Sequence, residues 1–600
     1  MGLFAVPIFS IDVRIGLFVS NLLAKSIQSL ALPASSNLTV NFITTYRRND
    51  TISLGDQRSK IVVGLTKRIR AIHVAWIAAL LFFLAGQAFI ARTGVEADES
   101  LPFSPLLDPK GAIYLRFFGH PWPVLLMPYL GTLKTLIYKP LIALFGTGLW
   151  TLREPMVLAG ALTLPVFFLI LRRVSGDRAA LIGCGLLATD SMYLLTVCYD
   201  WGPVALQHLL LLSGTLFALQ FFENRRLLPL AAAGFLFGLA LWDKALSIWL
   251  LSSMGVAALV LCPRKMFSAA TRRTVPIALL AFILGGLPIL RYNLRTHWST
   301  FRGGFTRDVH FLDKLPHLYY TLDGRGMFGW MMPMPGDSVP NPHAPGDILT
   351  AASDKISSAA DHPTRDWMLY ALAASLLLIP LARGRDLRTL LFCLLVFLGG
   401  WLQMALTLNA GGSVHHIVLL WPLPQAMVAV SLAAASRYLG KAAKPALAVV
   451  SAGLMISNVL VLNEYYAVLY RDGAVQAWSN AMLPLADYLK TAPAAHVLCV
   501  DWGILEPLRY LDAGKLPLEG GIDPINKPAL DLADEQQLAQ TLDRNDQLVV
   551  MHTKAAEQFA GIRDKLLHFA EQHGYRRQVL TTISDGFGRD IFEVCRFSKT

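Results

Sequence analysis

Charge is scarce in this 600-residue chain: Asp, Glu, Lys and Arg make up 16% of the residues, whereas 54% are apolar. A soluble globular domain carries about 25% charged residues, so the composition excludes an ordinary soluble protein. Apolar runs of about 20 residues recur along the chain, and a run of that length is sufficient to cross the hydrocarbon core of a bilayer. The sequence therefore predicts an all-α polytopic membrane protein.

Two further absences narrow the chemistry. The six cysteines show no metal-ligand spacing, which argues against a cysteine zinc site. The chain also has no glycine-rich phosphate loop and no dinucleotide-binding fingerprint. Any group-transfer reaction would therefore need a substrate that arrives already activated.

Basic residues gather in every second short loop, as in Arg172-Arg173 and Arg225-Arg226. This alternation is the positive-inside pattern of membrane proteins, so the net charge of +12 indicates topology rather than a nucleic-acid partner. It predicts that the long loops 93–153 and 294–366 and the tail from residue 467 lie on the outer, extracytoplasmic face. The eleven predicted spans are 73–92, 154–171, 179–198, 203–222, 227–242, 245–261, 275–293, 367–382, 388–408, 415–435 and 446–465.

Three regions follow from these patterns: an N-terminal segment 1–66, a membrane region 67–466 and a soluble tail 467–600. The N-terminal segment has a short apolar stretch, 15–23, which is either an interfacial helix or part of a segment preceding the true start of translation. It does not resemble a cleaved signal peptide.

The tail has the composition of a small soluble α/β domain. Its cysteines, Cys499 and Cys595, either form a disulfide or remain free and buried, and we favour the second. Strands are predicted at 496–500, 547–552 and 591–597, and helices at 531–544 and 555–573.

Acidic residues on the predicted outer face are the first candidates for chemistry. Asp98-Glu99 begins the first outer loop, and Asp200 lies in the turn between the third and fourth spans. A carboxylate beside a bilayer is costly to hold, so such residues often serve a site. The simpler interpretations are a solvated loop for the pair and a helix cap for Asp200. Asp190, inside the third span, is best explained as a satisfied intramembrane polar residue.

Basic groups on the same face are the second candidates. Lys244 follows Asp243 in the turn between the fifth and sixth spans, where it would either bind an anionic headgroup or simply extend to the interface. Together with the carboxylates, these groups predict a site for a phosphate-bearing lipid and a proton acceptor. The remaining basic or imidazole candidates are His120, Lys134, Arg291, Arg295, His415 and His416.

A sugar linked to a polyprenyl phosphate meets the requirement for a ready-made donor. Its tail partitions into the bilayer, its phosphate lies at the interface, and that phosphate is already a good leaving group. The reaction then needs a carboxylate base for the acceptor and cations for the departing phosphate.

Five short motifs occur in one order along the chain, and together they resemble the GT-C glycosyltransferases of family 39, which include protein mannosyltransferases and are similar to the aminoarabinose transferases of lipid A. His stands where that family has Lys in the second motif and Arg in the fifth. The motifs are Asp98-Glu99, Phe118-Gly119-His120-Pro121, Ala188-Thr189 followed by Asp200, LALWDKA at 239–245, and His416 to Pro422.

The resemblance implies an inverting transferase of the cell (inner) membrane that uses a polyprenyl-phosphate sugar. It gives Asp98 the role of general base, with Glu99 beside it, and has Asp200 position the acceptor or assist Asp98. It implies that Lys244, His120 and His416 contact the donor phosphate. We add Lys134 and Arg295 to this set of predicted phosphate contacts. A metal is not obligatory in this family, although the carboxylates could recruit a divalent cation.

Two other classes of protein remain open. A lipid or glycan transporter would also be polytopic, but it should carry ionisable residues at mid-membrane and broken helices. A non-catalytic envelope assembly protein with an exported domain is the second. Convergence of Asp98, Asp200 and Lys244 on one place would favour the enzyme.

Overall fold

The computed structural model describes residues 54–599 except 118, 203, 305, 493, 528, 529 and 545. The stretch predicted as an interfacial helix, 15–23, lies outside the described residues. Arg68–Thr600 forms one compact unit, in which apolar helices are followed by a region with a mixed β-sheet.

Apolar helices account for most of the chain up to residue 472. Within the described residues, five helices are long and apolar enough to cross a membrane, or up to nine spans if each of four bent pairs is one span. Leu227–Asp243 and Met368–Leu377 are shorter apolar helices. The others are Leu54–Ile90, Leu149–Ser175, Asp177–Thr189, Ser191–Cys198, Ala205–Asn224, Ile248–Leu261, Pro263–Ala269, Thr274–Gly285, Leu287–Arg295, Gly384–Ala405, Val414–Ile417, Leu423–Ala435 and Ala443–Asp472, with 3-10 turns at Ala245–Ser247, Ile379–Leu381, Val418–Leu420, Ser436–Tyr438 and Gly440–Ala442.

The predicted span 179–198 is not one straight helix, because it bends by 56° at Asp190. The Asp190 carboxylate accepts a hydrogen bond from the Tyr193 backbone N–H (2.8 Å) at the start of the second segment. It also accepts from Trp421 Nε1 (2.9 Å) and Gln425 Nε2 (2.6 Å). Buried polar groups require such partners, and the prediction that the Asp190 side chain is satisfied by hydrogen bonds is confirmed.

The loop 93–153 is partly β-structure. A three-stranded antiparallel sheet contains Ile113–Phe117, His120–Met127 and Leu130–Gly131 in that order. Pro121 and Pro123 fall in the middle strand, and proline disfavours a helix interior because it lacks the N–H donor. The helical parts are Ala97–Ser100, Leu101–Phe103 (3-10), Ser104–Leu107 and Leu133–Phe145.

The described part of the loop 294–366 contains four short helical segments after the helix Leu287–Arg295. A capping box begins the last of them: the Asp347 carboxylate accepts from the Thr350 N–H at 2.8 Å, and Thr350 Oγ1 accepts from the Asp347 N–H at 3.1 Å. The segments are Ser299–Gly304, Phe311–Lys314 (3-10), Leu315–Leu322 and Ile348–Ala359.

The C-terminal region is built on a five-stranded mixed sheet, and the predicted strands are confirmed. The predicted helix 555–573 is shorter in the structure, where it begins at Ile562. In spatial order the strands are Leu518–Gly520, His496–Val500, Gln547–His552, Asp590–Lys599 and Tyr575–Ser584; the first three are parallel, and the fourth is antiparallel to both of its neighbours. The helical segments of this region are Gln476–Trp478 (3-10), Met482–Thr491, Leu505–Leu511, Ile522–Ile525, Leu532–Leu542 and Ile562–Gln572.

Both faces of this sheet are covered, which explains the near-continuous apolar runs in its parallel strands. Cys499 belongs to one hydrophobic cluster, with Val497 and Leu548, whereas Cys595 belongs to the other. The two cysteines therefore point to opposite faces of the sheet. Both are free and buried, as we favoured.

Candidate active site

The acidic pair Asp98-Glu99 lies in a single helical turn, Ala97–Ser100, just after the first membrane helix. Glu96 begins this turn, and its carboxylate accepts hydrogen bonds from the backbone N–H groups of Asp98 (2.7 Å) and Glu99 (3.3 Å). Glu99 Oε1 accepts from the Glu96 N–H at 3.0 Å. This reciprocal capping box fixes the backbone on both sides of Asp98.

Glu99 forms a buried ion pair with Arg153. Arg153 Nε donates to Glu99 Oε2 (2.8 Å), and Nη2 donates to Oε1 (2.5 Å). The guanidinium also donates to the backbone carbonyls of Ile90 and Gly94, and its Cζ lies 4.8 Å from the centre of the Tyr199 ring. Both oxygens of Glu99 are therefore engaged, in a network that joins the acidic turn to the membrane helices.

Asp98 differs from both neighbouring glutamates. Its side chain is half-buried, and within the described residues no side chain forms a hydrogen bond or ion pair with its carboxylate. Burial raises the pKa of Asp98 above its usual value, although the nearby ammonium groups of Lys244 and Lys134 act to lower it. A carboxylate that is free, partly desolvated and close to cations has the properties of a general base.

Asp200 occupies a tight turn before the helix Ala205–Asn224. Its φ of +41° lies in the left-handed region, which Asp tolerates better than most residues. Oδ1 accepts from the backbone N–H groups of Val204 (3.2 Å) and Ala205 (3.4 Å), while Oδ2 forms an ion pair with Lys134 Nζ. Asp200 thus stabilises the start of the helix and also joins the charged group.

Lys244 is almost fully buried, with 2% of its surface exposed. Its Nζ donates to the backbone carbonyl of Gly202, two residues after Asp200. Gly202 has a φ of +62°, and a Cβ there would lie 2.1 Å from the His415 ring, so the turn requires glycine. Burial lowers the pKa of Lys244 to about 8, although Asp98 and Asp243 act to raise it.

Three turns and the helix Leu133–Phe145 therefore meet and bring together three carboxylates and two ammonium groups. Asp243 is buried, and within the described residues its Oδ2 has no hydrogen-bond partner. Burial lowers the pKa of Lys134, and the carboxylates of Asp243 and Asp98 oppose that shift. We call this set the charged cluster; it comprises Asp98, Lys134, Asp200, Asp243 and Lys244.

The other predicted phosphate contacts lie outside the charged cluster. His120 begins a strand of the loop 93–153 and is exposed, and Arg295 is exposed at the end of the helix Leu287–Arg295. Within the described residues, no hydrogen bond or ion pair joins either of them to the cluster. His416 is half-buried and bonded through Nδ1 to Ser413 Oγ (3.0 Å); its ring lies 4.2 Å from that of His415, at an angle of 48°.

Sequence reasoning missed several residues that shape this site. Arg153, the last residue of the predicted loop 93–153, was not among the candidates, although a single Arg at the start of an apolar run was a usable signal. An aromatic group next to Asp200 was missed too: Trp201 stacks on the partly exposed Trp330 at 5.6 Å, with His415 (4.4 Å) and Trp478 (6.0 Å) around it. Its members are distant in sequence, so no local pattern indicated it.

No group of three or more His, Cys, Asp or Glu side chains is arranged to hold a metal ion in the part of the chain that the structure describes.

The chain is similar to known proteins in part of its sequence and in its fold. Residues 133–289 match the family model of dolichyl-phosphate-mannose-protein mannosyltransferases, a stretch that includes Lys134, Asp200 and Lys244. No curated protein sequence matches the chain.

Among solved structures, the fold is similar to that of ArnT from Cupriavidus metallidurans bound to undecaprenyl phosphate, with a TM-score of 0.51, 13% identity, and coverage of 87% of this chain and 97% of that chain. For ArnT from Cupriavidus metallidurans in the apo state the TM-score is 0.51 and the identity 12%, with coverage of 88% of this chain and 98% of that chain. The archaeal oligosaccharyltransferase AglB from Archaeoglobus fulgidus, in complex with an inhibitory peptide and a dolichol-phosphate, gives a TM-score of 0.47. Its identity is 14%, with coverage of 87% of this chain and 74% of that chain.

The chain is thus a multi-pass membrane protein with the GT-C fold. It is similar to the family-39 glycosyltransferases, and the resemblance carried by its short motifs is confirmed.

Proposed function

We propose that this protein is a membrane glycosyltransferase that moves a sugar from a polyprenyl-phosphate donor to an acceptor. The family match and the shared fold support a transferase with a lipid-linked donor. The observation that carries the proposal is the free carboxylate of Asp98 beside the buried ammonium groups of Lys134 and Lys244. One group can accept a proton, while its neighbours can stabilise negative charge on phosphate.

The reaction is a single displacement at the anomeric carbon of the donor sugar. An acceptor hydroxyl or amine attacks that carbon, and Asp98 takes the proton that the nucleophile loses. The bond between the anomeric carbon and the phosphate oxygen breaks, and the polyprenyl phosphate leaves with the electron pair. Attack opposite the leaving group inverts the configuration of the sugar.

Lys244 is the best candidate for binding the phosphate of the leaving group. An ammonium group has three N–H donors, and the bonded partner of Lys244 is a neutral backbone carbonyl. Lys134 is already paired with the Asp200 carboxylate, so we assign that pair to orienting the acceptor side of the site. We place His120, Arg295 and His416 at the periphery of the donor, and we assign Glu99 to holding the acidic turn.

ArnT, whose fold this chain shares, has been solved with undecaprenyl phosphate, which supports a lipid carrier of that class here. The transferred sugar is a hexose or a pentose, and the acceptor is a lipid, glycan or protein.

We further propose that the charged cluster faces the outer side of a cell (inner) membrane. Counting the two short apolar helices as spans, in addition to the nine, gives the eleven that the hydropathy predicts. With a cytoplasmic start, an odd number of spans places the region 467–600 outside, and we treat that region as an extracytoplasmic domain. The alternating basic loops support the same orientation.

A transporter remains the main alternative, because four helix pairs are bent. The intramembrane carboxylate at one of those bends, Asp190, is fully hydrogen-bonded to its neighbours rather than free to bind cargo. A free carboxylate, that of Asp98, instead lies in the loop 93–153 with Lys244 and Lys134 around it. This placement favours the transferase over both the transporter and the assembly protein.

Asp98→Asn should lower kcat by about two to four orders of magnitude, because the proton acceptor is lost while the shape is kept. Turnover of purified, reconstituted protein on synthetic polyprenyl-phosphate sugars measures this. Asp313→Asn, an exposed residue of the second outer loop, is the matched control and should turn over like the parent.

Glu99→Gln separates the two members of the acidic pair. It leaves the buried Arg153 guanidinium without its counter-charge, which should cost about 3–5 kcal/mol of unfolding free energy. Asp98→Asn should unfold like the parent in the same denaturation experiment. Parent-like turnover of a correctly inserted Asp98→Asn protein would remove Asp98 from the role of base.

The pH dependence of turnover should reveal the loss of the proton of Lys244. A lysine with a lowered pKa loses its positive charge as the pH rises, so turnover should fall above about pH 8. Arg keeps its charge at any accessible pH, so Lys244→Arg should retain part of the activity and shift this decline to higher pH. The acid limb should lie above the usual range of an Asp carboxyl group in both proteins, because burial raises the pKa of Asp98. An alkaline decline that Lys244→Arg leaves in place would assign it to another group.

A reporter fused after Thr600 tests the proposed orientation. Alkaline phosphatase, which folds only outside the cytoplasm, should be active in that fusion, and green fluorescent protein should not fluoresce when exported unfolded. The opposite pair of results would place the C-terminal region in the cytoplasm and overturn the outer-face assignment.

A further inference from the structure

The C-terminal region touches the acidic loop directly. Its short helix Leu505–Leu511 packs against the segment that contains Asp98. Arg509 Nη2 forms an ion pair with Asp108 Oδ2 (2.8 Å) and is mostly buried, and Ser104 Oγ donates to the Glu506 carboxylate. Charged contacts of this kind fix register between two surfaces.

A ring cluster joins the same helix to two other parts of the site. Phe103 lies between Tyr510 (4.4 Å) and Tyr138 (4.3 Å), and all three side chains are fully buried. Tyr510 OH donates to the Gly148 carbonyl (2.8 Å) and accepts from the Gly148 N–H (3.0 Å). Tyr138 belongs to the helix that carries Lys134, and Gly148 immediately precedes the helix that carries Arg153.

The other side of the acidic turn is also held by the C-terminal region. The Gly94 N–H donates to the Trp478 carbonyl at 2.9 Å. A Cβ at Gly94 would lie 2.1 Å from the Ser479 carbonyl oxygen, so the two backbones are in close contact. Contacts from residues after 472 therefore bracket the turn Ala97–Ser100 on both sides.

We propose that the C-terminal region is a positioning element for the reaction: its helix Leu505–Leu511 and the segment at Trp478 hold the loop that carries Asp98 at the distance from Lys134 and Lys244 that turnover needs. This inference rests on the proposed function. Such a role does not require the region to touch either substrate, since a misplacement of about 1 Å can cost about 100-fold in rate.

Gly514 provides a selective way to disturb this contact. A Cβ there would lie 2.9 Å from the Leu107 carbonyl oxygen and 3.2 Å from its Cβ, so Gly514→Ala must displace the loop. Gly561 is the matched control, because its φ of +85° is close to the +73° of Gly514, and a Cβ there would meet nothing within 4 Å. Both variants therefore carry the same kind of backbone strain, and only Gly514→Ala pushes on the loop.

Gly514→Ala should lower kcat by about 10- to 100-fold and leave KM for the donor within about twofold, because the base moves while donor binding does not depend on it. Gly561→Ala should keep both values within about twofold of the parent. Amide hydrogen exchange of residues 97–107 should accelerate in Gly514→Ala only. Equal kcat for the two variants, or a loss that falls on KM, would overturn the proposal.

Arg509→Met and Arg509→Lys provide a second test if Gly514→Ala does not fold. Met removes the charge that meets Asp108, whereas Lys keeps it, so Lys should restore most of the kcat that Met loses. Equal kcat for Met, Lys and parent would again overturn the proposal. If the parent itself turns over no polyprenyl-phosphate sugar, the proposed function fails. The exchange rates still show whether the C-terminal region holds the loop that carries Asp98, because they do not depend on activity.

Discussion

The buried ion pair between Arg153 and Glu99 is the constraint on which the rest of the site depends. A fully buried guanidinium must have its N–H groups satisfied, and here two carboxylate oxygens and two backbone carbonyls surround it. Those acceptors come from the end of the first membrane helix, from Gly94 and from the acidic turn. Their positions relative to the second long membrane helix are therefore fixed together, and Asp98 is left with a free carboxylate.

Charge balance explains why the turns converge. Buried lysines such as Lys134 and Lys244 are tolerated only with counter-charges nearby, and Asp98, Asp200 and Asp243 supply them from three separate segments. The backbone supports this arrangement: the Ala245 N–H donates to the Tyr129 carbonyl (2.9 Å), and Lys244 forms an isolated β-bridge with Leu130. The small sheet of the loop 93–153 is thereby attached to the turn that holds Lys244.

The structural features that could be predicted from the sequence are those whose signal lies within a single segment. Hydropathy and loop charge predicted the membrane helices, and apolar runs predicted the strands of the C-terminal sheet, because these patterns lie within single segments. The bend at Asp190 and the strands at 113–131 were not predicted, since side-chain partners and proline placement decide them. The partner of Glu99 was missed for the same reason, because Arg153 lies 54 residues away.

The candidate residues show the same division. Asp98, Asp200, Lys134 and Lys244 were identified from charge at an apolar boundary, and the structure brings them together. His120 and Arg295 satisfied the same criterion but lie exposed and apart, because one-dimensional spacing cannot distinguish a basic group that faces a cluster from one that faces solvent. The membership of Asp243 in the charged cluster could be recognised only from the fold, because it depends on the position of Lys134.

Lipid mass spectrometry of cells lacking the protein shows whether the protein consumes a sugar-linked polyprenyl phosphate. Such cells should accumulate a polyprenyl phosphate carrying one sugar, which the parent gene should clear and an Asp98→Asn gene should not. A lipid-linked sugar pool of the same size and composition with and without the protein would show that the protein does not consume this donor.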